Sequence, residues 1–467
     1  MVKKKNDEEL SKLRAEIRNV TLDIIDKVHR RMELAERIGT VKGNLNIEIE
    51  DERVEQEIRG SVTELSHKLG MDPAFSGRLL NVMLTESIRL QHMQQKKAES
   101  TTSEYTHLTV FIKAKELENS GRKIIHLEVG EPDFPPPNKI KKALIGSYNK
   151  KQYHYTDSRG LLKLRQAIAK KVGYGIMHDE VIVTSGGRFA IFSAILSILK
   201  PGEEVISIDP AWPAYQEFVD FAGGKIKTLK TTLEEKWTPD IKQLEEMVGD
   251  HTKVIILNYP NNPTGKVLDE KYITKILSLA EDTGLYVISD EVYSDYAFKR
   301  FTSLIRYKYD KSIVVSSFSK SCAMTGFRVG YGIAGKEIID KMARVQAIAL
   351  TSVAEPMQHA ALGAIDYNSA ANAKLIKERL DLISEKLCDM SLDFLTPEGA
   401  MYVYPRLRGL IQNDVTLVEK LLNLGVAVAP GSGFGENYKQ FIRISACQPK
   451  KLLEHGLEVI KTIMLKH

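Results

Sequence analysis

The spacing of apolar residues changes character near residue 100. Over residues 7 to 42, Leu10, Leu13, Ile17, Val20 and Ile24 follow heptad spacing, as in a long helix packed on other helices. A break at Gly43 to Asn46 precedes a second helical stretch, Asp51 to Leu69, and a third begins at Met71. Asp72 serves there as N-cap, with Pro73, the first proline of the chain, at the first helical position. Residues 95 to 104, QKKAESTTSE, then lose the periodicity and gain small polar side chains. The pattern predicts a three-helix, all-α domain over residues 1–95 and a linker over 96–105.

From residue 106 to 467 the pattern is different. VIVTS, EVISIDP, KVIILNYP, YVISDEVY and SIVVSSFS are short, continuous apolar runs rich in β-branched residues, as in strands buried on both faces. Amphipathic helical stretches separate them, which predicts an α/β fold with a mostly parallel central sheet. Polar residues follow the carboxyl ends of these runs, where open α/β sheets place their ligands.

Composition narrows the class. A chain of 467 residues is too long for one core. Its net charge of +5 is well mixed and argues against a nucleic-acid or membrane-surface partner. The start MVKKKNDEEL is basic without a following apolar stretch, so no secretory signal is expected. Cys322, Cys388 and Cys447 are far apart and lack metal-ligand spacing, which suits a reduced, cytoplasmic protein without a metal.

The candidate chemistry starts at Lys320, in SFSKSCAMTGFRVGY. A lysine amine can form an imine with an aldehyde, and desolvation lets it act as a base. Neighbouring serines and Arg328 can hold a phosphate, the arginine bidentately. The glycine turn TSGGRFAIF follows a strand and opens a helix, so backbone N–H groups can face an anion.

These segments, together with YHYTDSRG, DPAWPAY, NYPNNPTG, EVGEPDF and FIRIS, resemble the class I, fold-type I aminotransferases that depend on pyridoxal 5′-phosphate. The resemblance implies a large cofactor domain over about residues 150–350 and a smaller α+β domain from the remaining N- and C-terminal segments. It implies Lys320 as the residue that carries the cofactor and moves the substrate proton. Asp290 would be the partner of the pyridine nitrogen, with Asn262 and Tyr293 on the phenolic oxygen and Trp212 stacked on the ring. Ser185, Gly187, Arg188, Ser317 and Arg328 would form the phosphate cup, and Tyr155 would reach it from a neighbouring subunit. Arg443 would clamp the α-carboxylate of an amino acid or 2-oxo acid, with Gly130 beside the substrate.

The N-terminal stretch has chemistry of its own. Arg31 and Lys42, eleven residues apart, share a helix face, and Ser87 and Gln91 share another. Arg14 lies about 25 Å from Arg31 along a helix axis, so it could share a small ligand only across a partner helix. LRAEI, HRRMELAERIGTVK and TESIRLQ resemble the all-helical chorismate mutases, intertwined dimers in which one arginine enters the partner's site. The resemblance implies chorismate as substrate, held by Arg14, Arg31, Lys42, Arg53, Ser87 and Gln91. The family's DxxRE motif reads here as Glu50 to Val54: Glu50 is a conservative replacement, whereas Val54 cannot replace a glutamate, a role left to Glu52 or Glu55 if the helix register differs by a turn or less. The alternative is a non-catalytic dimerisation or regulatory module.

The fusion points to the aromatic amino acid pathway, with glutamate or aspartate donating to prephenate or an aromatic 2-oxo acid. Arg188, a long cation beside the glycine turn, could also meet a substrate's distal carboxylate. An aspartate aminotransferase carrying an inactive helical domain is the other reading of the whole chain.

Overall fold

The computed structural model describes residues 2–45, 52–99, 106–407 and 413–464, without side-chain detail for 2–8, 43–45, 52, 92–99 and 107. Contacts divide the chain into two compact units, Met1–Glu104 and Tyr105–His467.

The first unit has three helices: α1 (Val2–Leu45), α2 (Glu52–Leu69) and α3 (Pro73–Glu99). Asp72 caps α3 by accepting from Ala74 N at 2.9 Å, ahead of Pro73. Ala35, Leu80 and Leu84 are buried where α3 packs along α1, and the Ser66 and Ser76 hydroxyls join α2 to α3 at 2.6 Å. The chain departs from the expected linker boundary, because α3 continues to Glu99. Lys96, Lys97, Ala98 and Glu99 lack apolar periodicity yet all favour helix, and propensity carries the turn on. The heptad residues Leu10, Leu13, Ile17, Val20 and Ile24 are 45% to 68% exposed within the single chain.

The second unit opens with α4 (His107–Asn119), capped by Thr106 in a reciprocal box with Thr109, and β1 (Ile125–His126). Its main sheet comprises β2 (Val181–Thr184), β3 (Glu204–Asp209), β4 (Lys225–Lys230), β5 (Thr252–Asn258), β6 (Tyr286–Asp290), β7 (Ser312–Ser317) and β8 (Gly330–Ala334). The strand order is β2-β8-β7-β6-β5-β3-β4. Only β8 runs against its neighbours, so the sheet is mostly parallel. The apolar runs fill both faces with Val and Ile, and helices cover each side.

A second core gathers Val110, Ile125 and Leu127 with residues from the last hundred of the chain. There β9 (Tyr402–Val403), β11 (Ala429–Pro430) and β12 (Ile442–Ser445) make an antiparallel sheet, and β10 (Val426–Ala427) pairs with β1. Among the described residues, no helix is long and apolar enough to cross a membrane, and no cluster of His, Cys, Asp and Glu is arranged to hold a metal.

Candidate active site

The carboxyl ends of β5, β6 and β7 lie side by side: Asn258 pairs with Asp290, and Asp290 with Val315. Ending three adjacent parallel strands together opens a crevice at the sheet edge, and a cavity of about 240 Å³ lies there. Lys320, just past β7, reaches into it and donates from Nζ to Gly130 O. Burial lowers the Lys320 pKa, with Arg443 and Arg328 acting in the same direction.

Asp290 is buried at the end of β6. Its Oδ2 accepts from Tyr215 OH at 2.6 Å and its Oδ1 from Val292 N at 3.3 Å. Burial nevertheless pushes its pKa up to about 6, against the Tyr215 hydrogen bond and the Lys320 charge. Asn258 holds the floor together: its Nδ2 donates to Asp290 O at 3.1 Å and its Oδ1 accepts from Asn262 N at 3.0 Å. Tyr293 OH shares a 2.7 Å hydrogen bond with Tyr402 OH.

At one end of the cavity, Ser317 Oγ lies 2.9 Å from Ser319 Oγ, and Arg328 Nη1 donates to Thr325 O at 2.9 Å. Gly186, at φ +77°, opens the helix Gly186–Ile198, and a Cβ there would sit 2.6 Å from Arg328 Nη2. Across the cavity Arg443 is almost fully buried on β12. It donates from Nη1 to Asn262 Oδ1 at 2.7 Å and from Nη2 to Glu128 O, and stacks 4.2 Å over the Tyr402 ring. Gly130 is a glycine of necessity, since a Cβ would overlap the Tyr402 hydroxyl.

A family model for aminotransferase class I and II matches residues 122–460. The chain belongs to the class I and II aminotransferases. A model for chorismate mutase type II matches residues 13–92, so the helical unit is a chorismate mutase domain. An aspartate aminotransferase of Thermotoga maritima is 34% identical over 360 residues, 75% of this chain and 94% of that protein. An aspartate/prephenate aminotransferase of Thermus thermophilus is 33% identical over 75% of this chain and 94% of its own length. The solved structure of Thermus thermophilus aspartate aminotransferase with maleate matches with a TM-score of 0.73 at 33% identity, over 77% of this chain and 96% of that one.

The aminotransferase family implies pyridoxal 5′-phosphate, and the cavity fits it. The Gly186–Gly187 turn, Ser317, Ser319 and Arg328 form a cradle for a phosphate, which side chains at the glycines would fill. Asp290 is a buried carboxylate with no ion pair among the described residues, suited to a protonated ring nitrogen. Gly187, Trp212 and Arg188 also line the cavity, and the Arg188 guanidinium lies 4.6 Å from the Trp212 ring centroid. Burial lowers the Arg188 pKa.

Two expected cofactor residues lie apart from the cavity wall. Ser185 is the N-cap residue of the helix Gly186–Ile198 and makes no capping bond. Tyr155 is 88% exposed, on a segment tied down by Glu355 Oε2 to His154 N at 2.7 Å and by Ser352 Oγ to Thr156 N at 3.3 Å. Tyr215, Asn258, Tyr402 and Gly186 belong to the site although sequence reasoning passed over them. Asn258 could have been found as the polar residue closing an apolar run. Tyr402 carries no local signal, because only folding brings it to Tyr293.

In the mutase domain, Arg31 donates to Met83 O at 2.8 Å and to Ser87 Oγ, so the structure brings these two expected residues together. Burial lowers the Arg31 pKa. Gln91, one turn beyond Ser87, has a buried Oε1 with no hydrogen-bond partner among the described residues. Lys42 is half-buried near the end of α1. Arg14 is exposed on α1, and Arg53 is exposed on α2 with Nε 3.5 Å from Glu57, so neither joins Arg31 within one chain. Glu50 lies outside the described residues.

Proposed function

We propose that the protein makes prephenate and transaminates it: the helical domain rearranges chorismate, and the second unit moves an amino group from glutamate or aspartate to prephenate or an aromatic 2-oxo acid. The observation that carries the choice of substrate is a pair of arginines lining one cavity, Arg443 buried and Arg188 exposed at its mouth. Arg443 suits an α-carboxylate. Arg188 stacks on Trp212, holds no ion pair among the described residues and suits a second, distal carboxylate. Glutamate, aspartate and prephenate each carry two carboxylates, whereas phenylpyruvate carries one. A relative that acts on aspartate and prephenate, and a solved relative with bound maleate, support the same substrate class.

Pyridoxal 5′-phosphate would supply the electron sink for the bond broken at the substrate α-carbon. The desolvated Lys320 Nζ takes the α-carbon proton and returns it, since burial favours the neutral amine. Asp290, held by Tyr215, would keep a proton on the ring nitrogen, and Asn262 and Tyr293 would hydrogen-bond the phenolic oxygen. Gly187, Ser317 and Arg328 would take the phosphate, and Gly130 leaves room beside the substrate. In the mutase, no nucleophile or base is required. Arg31, Ser87 and Arg53 hold the carboxylates and hydroxyl of the reactive conformer, Glu50 stands in for the motif's aspartate, and Lys42 and Gln91 meet the charge on the ether oxygen.

Both sites are completed in a homodimer. The exposed heptad stripe of α1 needs a partner helix, which would carry Arg14 into the second mutase site. Tyr155, exposed on an anchored segment, would reach the partner's phosphate. A cytoplasmic setting suits the free cysteines.

The test offers the loaded protein prephenate, phenylpyruvate, hydroxyphenylpyruvate and oxaloacetate in turn, and chorismate without cofactor. Preference for oxaloacetate by orders of magnitude would leave an aspartate aminotransferase. Val54 and the exposed Arg53 favour a second reading of the helical domain as a regulatory module. Chorismate would then shift transaminase kinetics without being consumed.

A further inference from the structure

The segment 125–130 carries a polar cluster that the reaction above does not use. Leu127 donates to Ala427 O at 2.9 Å and accepts from Ser445 N at 2.8 Å, which pins the segment beside β10 and β12. Two of its carbonyls serve the cavity: Glu128 O accepts from Arg443 Nη2, and Gly130 O from Lys320 Nζ. Two residues apart in extended chain, the His126 and Glu128 side chains share a face. His126 Nδ1 lies 2.7 Å from Glu128 Oε1.

Glu128 is fully buried, and among the described residues its carboxylate Oε2 has no hydrogen-bond partner. Such a charge is costly unless a cation compensates it. Among the described residues, His126 is the only group in ion-pair reach of it. His126 Nε2 also lies 3.1 Å from Glu118 Oε1, an ion-pair distance without hydrogen-bond alignment. Glu118 is held in turn by Lys115 at 2.8 Å. Among the described residues, the imidazole is faced by Glu118, Lys115 and Phe111 from α4, by Glu128 on its own segment, and by Glu131, Asp133 and Cys447 across the adjoining cavity.

We infer that protonated His126 is a positioning residue for Arg443. By compensating the buried Glu128 carboxylate, it fixes the Glu128 carbonyl against the guanidinium that receives the substrate's α-carboxylate. The inference rests on that reading of Arg443. Glu128 raises the pKa of His126 above its ordinary value, with burial opposing. The imidazolium is lost as pH rises through that raised value, and substrate affinity falls with it.

The test is steady-state kinetics of the loaded, full-length protein with glutamate and a 2-oxo acid, across roughly pH 6 to 9. His126→Ala should raise KM for both substrates about tenfold, with kcat within about twofold and the cofactor absorption unchanged. His126→Ala/Glu128→Gln, which removes the orphaned charge, should restore KM to within about threefold and flatten its pH dependence. An unchanged KM in His126→Ala overturns the inference, as does an equal rise in the single and double variants. If His126→Ala does not fold, Glu128→Gln alone decides: its KM should stay low at high pH, and a preserved rise overturns the inference. Arg443→Lys runs in parallel. A normal KM there removes the α-carboxylate reading and this inference with it, whereas a raised KM beside a normal one in His126→Ala overturns positioning alone.

Discussion

Asp290 carries the main electrostatic strain of the cavity. Its unfolded pKa is the ordinary 3.8 and its folded pKa about 6. As pH rises through that window the unfolded chain releases its proton first, so stability falls between about pH 4 and 6 and stays lower above it. At roughly 1.4 kcal/mol per pH unit, the fully buried charge costs about 3 kcal/mol. The cofactor-free Asp290→Asn variant is therefore expected to melt several degrees above the parent at pH 8, by calorimetry, while transamination falls at least about a hundredfold. A lower melting temperature would mean that the carboxylate is stabilising as it stands. Gly186→Ala tests the phosphate cradle by another route. Its Cβ would press on Arg328 Nη2 at a positive φ, so the dissociation constant for pyridoxal phosphate should rise at least about tenfold by absorbance titration.

At the scale of elements, α1 is a helix whose apolar stripe is half used. Its later turns pack on α3 around Ala35, while Leu10 to Ile24 stay exposed in the single chain. An exposed heptad stripe of this length points to a second helix. Ile17→Asp, at a position 68% exposed, should leave a monomer folded but weaken association of the mutase domain, read by sedimentation with chorismate turnover falling in parallel. An unchanged association constant would show that the stripe lies outside the interface. The strands were legible for a related reason: buried on both faces, they leave continuous apolar runs that no surface element produces. The end of α3 was less legible, because residues 96–99 are helix formers without an apolar face.

At the scale of the molecule, two compact units share one chain, and the proposed sites have no residue in common. Arg31→Ala should abolish chorismate consumption and leave transamination within about twofold, whereas Lys320→Ala should lose transamination at least about a thousandfold and leave the mutase intact. Loss of both activities in either variant would contradict independent sites.

The sequence by itself determined the helical region, the α/β fold with its mostly parallel sheet, and a set of residues that folding brings to one cavity. Lys320, Asp290, Asn262, Tyr293 and Arg443 sit in short motifs tied to strand ends, and a strand end has only one place to point. Tertiary structure decided what those motifs rest on. Tyr402 meets Tyr293 across 109 residues, Glu128 meets Arg443 across 315, and Tyr215 meets Asp290 across 75. Such supports leave no local pattern, because they are set by burial and hydrogen-bond satisfaction after the chain has closed, not by the spacing of neighbours along it.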